Sequence, residues 1–424
     1  MFSSLLNSRL TLSLVSIVSL AAMSACGGGA DAGSNSTSQD SATSVSSAVD
    51  TSSVVTTTTT ATATTSTATD TSAPATAAPL SAPASAATST SPSQTIVVSA
   101  PAAPTYVPQT DVVPRPAYNT GTGFYIVGTK LYDPTGHEFR PRGLNRVHWN
   151  QSGDDVGIPA TGANAERFIM DFTRKPSDNV ALMQKQMINM GLVPMPGNWA
   201  GTCKVDTASI RAIVDTWVAQ APDMTTIDRY SIINIANEWG PSASTVWRDE
   251  YISAIARMRA AGYKGTLSIT SGGCGQDQTN LIKYAQQVFD SDPEKNILFD
   301  LHIYGHFYAT QTATWQTLFS TAMQQIAALN LPIMLGEFGP GKNLAPSPTL
   351  LTPEQIVSAA ESYGFGWLAW AYDANDGYNC TASENSYAIV KKCGIYKTDA
   401  DLTGYGLQVV PMLKSMATHA QVFQ

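Results

Sequence analysis

The chain has 424 residues, 13% of them charged, with a formal net charge of −8 and a sequence pI near 5.1. No cluster of Lys and Arg offers a nucleic acid an electrostatic footprint, which excludes that partner and favours an uncharged one. The length exceeds one ordinary domain, yet the first quarter lacks the apolar and aromatic residues of a core, so the folding signal lies after about residue 118.

Residues 1–26 read as an export signal: a single basic residue, Arg9, precedes an apolar stretch from Leu12 to Ala22, too short to span a membrane. The stretch ends in Met23-Ser24-Ala25-Cys26, which resembles the bacterial lipobox, in which the cysteine becomes the lipidated first residue of the mature chain. Cys26 is therefore a lipidation candidate, with an ordinary signal peptide as the other reading. Gly27 after it resembles the outer-membrane sorting pattern, so an exported protein, surface-anchored or secreted, is expected.

Residues 27–118 are Ser, Thr, Ala and Pro with five Asp, no Lys or Arg before Arg115 and no aromatic before Tyr106. Such a segment cannot bury enough apolar surface to offset its ordering entropy. It is expected to be a disordered linker, stiffened by prolines toward its end.

Residues 119–424 have the patterning of a folded domain. The opening "FYIVGTKLYDPTGHEF" reads as a hairpin that turns at Asp133–Gly136 and closes the floor of this domain. Eight apolar runs come next: "EFRPRGLN", "AERFIMDF", "GLVPMPGNW", "SIINIANE", "GTLSITSG", "ILFDLHIYG", "PIMLGEFG" and "GFGWLAWAYD". Helical patterns separate all but the first two, among them "DTASIRAIVDTWVAQ", capped by Asp206, and "STVWRDEYISAIARMRAAG", capped by Ser242 or Ser244. Only the crossover around "DDVGIPATGAN" lacks a clear helix. Continuous apolar strands joined by helical crossovers mean a parallel sheet covered on both faces, and eight of them predict an α/β fold of the (β/α)8 TIM-barrel type.

In such a barrel the C-terminal ends of the strands form the reaction face. The polar residues there are Arg167 in the second strand, Asn198 ending the third, Asn237 and Glu238 the fourth, His302 and Tyr304 the sixth, and Glu337 the seventh, with Trp370 in the eighth. Two carboxylates facing each other across a barrel mouth suit glycosidic bond cleavage, one protonating the leaving oxygen while the other attacks the anomeric carbon. His302 is the only strand-end histidine, and the third strand offers Asn198, so neither a metal ion nor a cofactor is expected.

The stretches "RGLNRVHW", "TGANAERF", "YSIINIANEWG", "LHIYG", "LPIMLGEFG" and "GFGWLAWAYD", in this order, resemble family 5 glycoside hydrolases, which are retaining (β/α)8 glycosidases. Within that family the domain is similar to the bacterial endo-β-1,4-mannanases. The resemblance implies that Glu238 is the general acid/base and Glu337 the nucleophile, with Asn237 on the sugar 2-hydroxyl. It also implies that Arg167 and Tyr304 lie against Glu337, that His148 and His302 line the sugar site, and that Trp370 is the platform beneath the ring. Asn198 departs from the pattern by standing where the family usually has His, after Pro194 and Pro196. It is expected in the sugar site as a neutral hydroxyl-binding group, or else as a cap on the strand.

Beyond Cys26 there are four cysteines, Cys203, Cys274, Cys380 and Cys393, an even number that in an exported chain favours disulfides. Of the three possible pairings, Cys380 with Cys393 is the most local and is expected to form. Three functions are open: an endo-glycanase acting on β-1,4-linked mannan, a glucanase of the same chemistry, or a non-catalytic glycan-binding surface lipoprotein. A monomer is expected, touching a membrane only through a lipid anchor.

Overall fold

The structure is a computed structural model and describes residues 111–147, 157–307, 314–340, 351–373, 387–392 and 395–424. In chain order these residues form β1 Tyr125–Val127, β2 Lys130–Tyr132, β3 Arg142–Arg146, α1 Gly157–Ala160, β4 Ala165–Ile169, α2 Pro176–Gln186, β5 Val193–Gly197, α3 Thr207–Met224 and β6 Ile233–Asn234. They continue through α4 Thr245–Ala260, β7 Leu267–Thr270, α5 Gln278–Ser291, β8 Ile297–Ile303, α6 Trp315–Ala327, β9 Ile333–Phe338, α7 Pro353–Tyr363, β10 Gly366–Ala369 and α8 Gly406–Ser415. Strands β3 to β10 close in sequence order into a parallel barrel, with β10 paired to β3. All eight expected strand runs supply one barrel strand each. The weak first crossover contains only the single turn of α1.

Local chemistry starts the crossover helices. Asp206 accepts from the Ser209 backbone and Ser244 from that of Val246, each satisfying an N–H that the first helical turn leaves without a partner. Thr352 and Gln355 form a reciprocal capping box on α7. Trp217, Trp247 and Tyr251 from α3 and α4 are fully buried, part of the apolar layer between helices and barrel wall.

The β1–β2 hairpin turns five residues earlier than expected. Tyr125 pairs with Tyr132 around Gly128, whose φ of +63° suits a residue without Cβ, while Asp133–Gly136 makes a second turn leading to the Tyr132–Glu138 bridge. Phe124, Ile126, Leu131 and Phe139 from this segment share one buried cluster with Ala165, Val193, Ile232, Leu298 and Met334, which lie at or near the start of barrel strands. The hairpin therefore plugs the N-terminal end of the barrel, and the polar residues of the interior lie above that apolar layer.

Candidate active site

Side-chain alternation carries the second barrel layer from apolar to polar. Ala165 belongs to the floor cluster and Arg167, two residues on, is fully buried; Leu298 is followed in the same way by Asp300 and His302. Strand β9 breaks this period. Its register slips between Leu301 and His302, so that Leu335 pairs with Leu301 while Glu337, not Gly336, pairs with His302. Strict alternation from the inward Met334 would put Gly336 inside and Glu337 outside; the extra residue brings Glu337 back to the interior. Gly336 is required there, because a Cβ would sit 1.9 Å from Asp300 Oδ1.

Arg167 ties the cluster together. Its Nη1 donates to Glu337 Oε1 at 2.7 Å and to Asn145 Oδ1 at 2.9 Å; its Nη2 donates to Asn237 Oδ1 at 2.5 Å and to Asn234 Oδ1 at 3.2 Å. The Tyr304 hydroxyl donates to Glu337 Oε2 at 3.1 Å. His302 stands between the two catalytic candidates: Nδ1 is 2.9 Å from Glu238 Oε1 and 3.4 Å from Glu337 Oε2, and Nε2 is 3.3 Å from Asp300 Oδ2. One oxygen of Glu238 and one of Glu337 lie within 4.8 Å of each other.

Burial and charge oppose each other in this cluster. Burial alone would lower the pKa of His302, but the charges of Glu337 and Asp300 and hydrogen bonds to Asp300 and Glu238 outweigh it and raise the pKa to about 10. The ring is thus a cation with both nitrogens donating. Burial pushes Asp300 up, yet His302, Arg167 and the Thr270 hydroxyl hold it below the ordinary carboxylate range. For Glu337 burial is the largest influence and raises its pKa, reinforced by Glu238 and opposed by His302 and Arg167. Tyr304, raised by burial and by both glutamates, stays protonated as a donor.

Glu238, His302 and Glu337 are also close enough to share an ion. A protonated imidazole has no lone pair to give, and Arg167 already occupies Glu337, so the donor set suits proton handling better than a metal cation.

Arg167, Asn237, Glu238, His302, Tyr304 and Glu337 thus come together. Trp370 stands at the mouth, its ring 6.3 Å from that of Trp199, and the peptide after it is cis. His148 lies outside the described residues. Asn198 does not join the cluster: its Nδ2 donates to Thr216 of α3 at 3.1 Å and its Oδ1 accepts from Ala200 N at 2.9 Å. Both ends of its amide are engaged in capping the strand, the second of its two expected places. The next residue takes the inward position, with the Trp199 ring 4.4 Å from the Arg167 guanidinium carbon.

The Cellulase family (glycosyl hydrolase family 5) matches residues 188–376, which include both glutamates. The mannan endo-1,4-beta-mannosidase of Salipaludibacillus agaradhaerens is 31% identical over 263 residues, covering 60% of this chain and 82% of that protein. This chain belongs to glycosyl hydrolase family 5. The protein of the same name from Cellvibrio japonicus is 32% identical over 275 residues, and the match spans 61% of each chain. Among solved structures, the mannohexaose complex of Thermomonospora fusca beta-mannanase superposes with a TM-score of 0.60 at 25% identity, covering 72% of this chain and all of that one.

Several groups of this family 5 site were not expected from sequence. Asn145 and Asn234 hold Arg167, and Asp300 sits beneath His302. The strand alternation of "ILFDLHIYG" places Asp300 on the same face as His302 and was a usable signal for it. Trp239, next to Glu238 in the chain, is buried and donates to the Asp206 carbonyl and to Ser209 Oγ, so it anchors a loop. The cysteine pairing agrees with the local expectation: Cys203 bonds Cys274, which leaves Cys380 and Cys393 for each other, both outside the described residues.

Proposed function

We propose that this family 5 protein is a retaining endo-β-1,4-mannanase that works outside the cytoplasm. The observation that carries the chemistry is the approach of Glu238 and Glu337, oxygen to oxygen, within 4.8 Å. Retaining glycosidases hold their carboxyls about 5 to 5.5 Å apart, whereas inverting ones leave about 6.5 Å or more for a water. The choice of mannan is supported by the two mannosidases and the mannanase to which the chain is similar.

Glu337, held by Arg167 and Tyr304, attacks the anomeric carbon while Glu238 gives its proton to the departing oxygen. Water then hydrolyses the glycosyl-enzyme ester, with Glu238 taking a proton from that water and so returning to its acid form. His302 donates toward both carboxylates, so its positive charge favours whichever of them is ionised at each stage. Trp370 offers an apolar face for the sugar ring, with Trp199 beside it.

Export is supported by the Cys203–Cys274 disulfide, which persists in an oxidising compartment, and by the lipobox-like sequence at Cys26. The Ser/Thr/Ala/Pro-rich segment, outside the described residues up to residue 110, is then a spacer between anchor and catalytic domain.

Reducing-sugar release from mannan, glucomannan, cellulose, xylan and mixed-linkage β-glucan tests this reading. Fastest release from mannan, with the β-anomer as first product by NMR, is expected. Preference for cellulose would make it a glucanase of the same mechanism, and release from none would leave a glycan-binding protein.

A further inference from the structure

The loops after β5 and β7 clasp the loop that carries Glu238. On one side, Cys203 N donates to the Glu238 carbonyl at 3.2 Å and Thr202 Oγ1 accepts from Asn237 Nδ2 at 3.0 Å. On the other, Gly273 N donates to the Gly240 carbonyl at 2.8 Å, and the Gly275 carbonyl accepts from His302 N at 2.8 Å. A single covalent bond joins the two sides, the Cys203–Cys274 disulfide. Cys203 Sγ lies 3.6 Å from Glu238 Oε2.

Three features make this more than a surface staple. Cys203, Glu238 and Cys274 all have left-handed backbones, with φ of 56°, 50° and 53°. Non-glycine residues hold such conformations only where their surroundings over-determine them. The two oxygens of Glu238 also have different company. Oε1 is bonded by His302, whereas Oε2 faces a disulfide sulfur, which has no hydrogen to donate and accepts only weakly. Oε2 is therefore the oxygen left to carry a proton toward the substrate. Finally, the clasp reaches the partner of Glu238 as well, since a Cβ on Gly275 would lie 2.6 Å from His302 Nδ1.

We propose, on the reading that Glu238 is the proton donor, that the Cys203–Cys274 disulfide positions this acid/base, and that its redox state governs acid assistance separately from nucleophilic attack. Cys203 is exposed and Cys274 half-buried, so a small dithiol can reach the bond. One thiolate of the dithiol attacks one cysteine sulfur, breaking the S–S bond and releasing the other cysteine; the second thiolate then closes the dithiol into a cyclic disulfide and releases the cysteine that was attacked. Two electrons and two protons pass from the dithiol to the protein, leaving two thiols. The clasp then has no covalent link, and the three left-handed residues are free to relax.

The test compares the oxidised protein, the dithiol-reduced protein and the double variant Cys203→Ser/Cys274→Ser, which leaves Cys380 and Cys393 unaltered. Each is assayed below its own melting temperature on the β-1,4-glycan that the oxidised protein cleaves best and on a dinitrophenyl glycoside of the same sugar. The aryl group leaves without protonation, so its kcat/KM reports nucleophilic attack alone. Loss of the disulfide should lower kcat/KM on the glycan by about 10²-fold, the scale of an ångström-sized misplacement, and leave the aryl value at its oxidised level; reoxidation of the reduced protein should restore the glycan value. An equal fall on both substrates, no fall on either, or failure of both reduced forms to stay folded would overturn the proposal and make the bond a stability element. Glu238→Ala serves as the reference: if it fails to show the same split between substrates, the assignment of Glu238 as acid fails first, whereas a split in Glu238→Ala without one in the reduced protein removes only the role of the disulfide.

Discussion

At the scale of single residues, the site is organised around two buried cations, Arg167 and His302, set among Glu238, Asp300 and Glu337. Replacing Glu337 by Ala removes the attacking group and should lower kcat on every substrate by roughly 10⁴-fold or more. Glu238→Ala should cost about 10² to 10⁴-fold on the glycan while sparing kcat/KM for a dinitrophenyl glycoside, and azide, a nucleophile that needs no base, should rescue its slow turnover. Equal losses on both substrates would contradict the assigned roles. Asp300 makes a further prediction through pH. The folded protein raises His302 from 6.5 to about 10, so between those values the native state binds a proton that the unfolded chain has released. The resulting stability is complete below about pH 6.5 and is lost as the pH rises through about 10. Glu337, Glu238 and Asp300 face His302, with Arg167 behind Glu337 and Asp300. Asp300→Asn removes one of these anions, so both melting temperature and kcat/KM should begin their alkaline decline at lower pH than in the wild type. Superimposable alkaline limbs in the two proteins would exclude Asp300 from the control of His302.

At the scale of elements, the eight barrel strands were legible because buried parallel strands read as continuous apolar runs, and the strand-end residues Arg167, Glu238, His302, Tyr304 and Glu337 were legible by position. What was not legible depended on local register and on closeness between distant loops. A β-bulge leaves no mark on hydrophobic periodicity, so the inward turn of Glu337 at Gly336 could be read only from the pairing. The disulfide links residues 71 apart in sequence because the loops after β5 and β7 flank the same strand end; the pair was left over once Cys380 was matched with Cys393, but its place beside Glu238 was not disclosed by spacing. Strand β5 shows the same limit, since "GNW" does not say which of Asn198 and Trp199 turns toward the mouth. Asn198 caps the strand, so Asn198→Ala should lose about 1 kcal/mol for each hydrogen bond removed, seen as a lower melting temperature with unchanged kcat/KM. Trp199→Ala should do the reverse, because it strips the ring from the guanidinium that holds Glu337. An Asn198→Ala protein with normal stability and poor kcat/KM would return the amide to the sugar site.

At the scale of the whole molecule, the barrel explains catalysis, and the sequence before it bears on where catalysis happens. Among the described residues no helix is long and apolar enough to cross a membrane. The candidate for attachment to a bilayer is Cys26, in Met23-Ser24-Ala25-Cys26-Gly27. The physics of anchoring makes this testable. One acyl chain holds a protein only marginally and reversibly at a membrane, whereas two hold it stably. A diacylglyceryl group on the Cys26 thiol supplies two chains at one residue, so its loss should change location in a single step without altering the barrel. Full-length protein made in a bacterial host should accordingly partition into detergent, and Cys26→Ser should move it to the aqueous phase. Both forms should retain the same kcat/KM on soluble oligosaccharides, because the substitution lies 212 residues before Glu238 in the chain (238 − 26). The mass of the mature N-terminus gives an independent measurement: a lipid-modified Cys26 as first residue is expected, and an unmodified N-terminus together with equal aqueous partitioning of the two forms would leave a secreted enzyme released by an ordinary signal peptide.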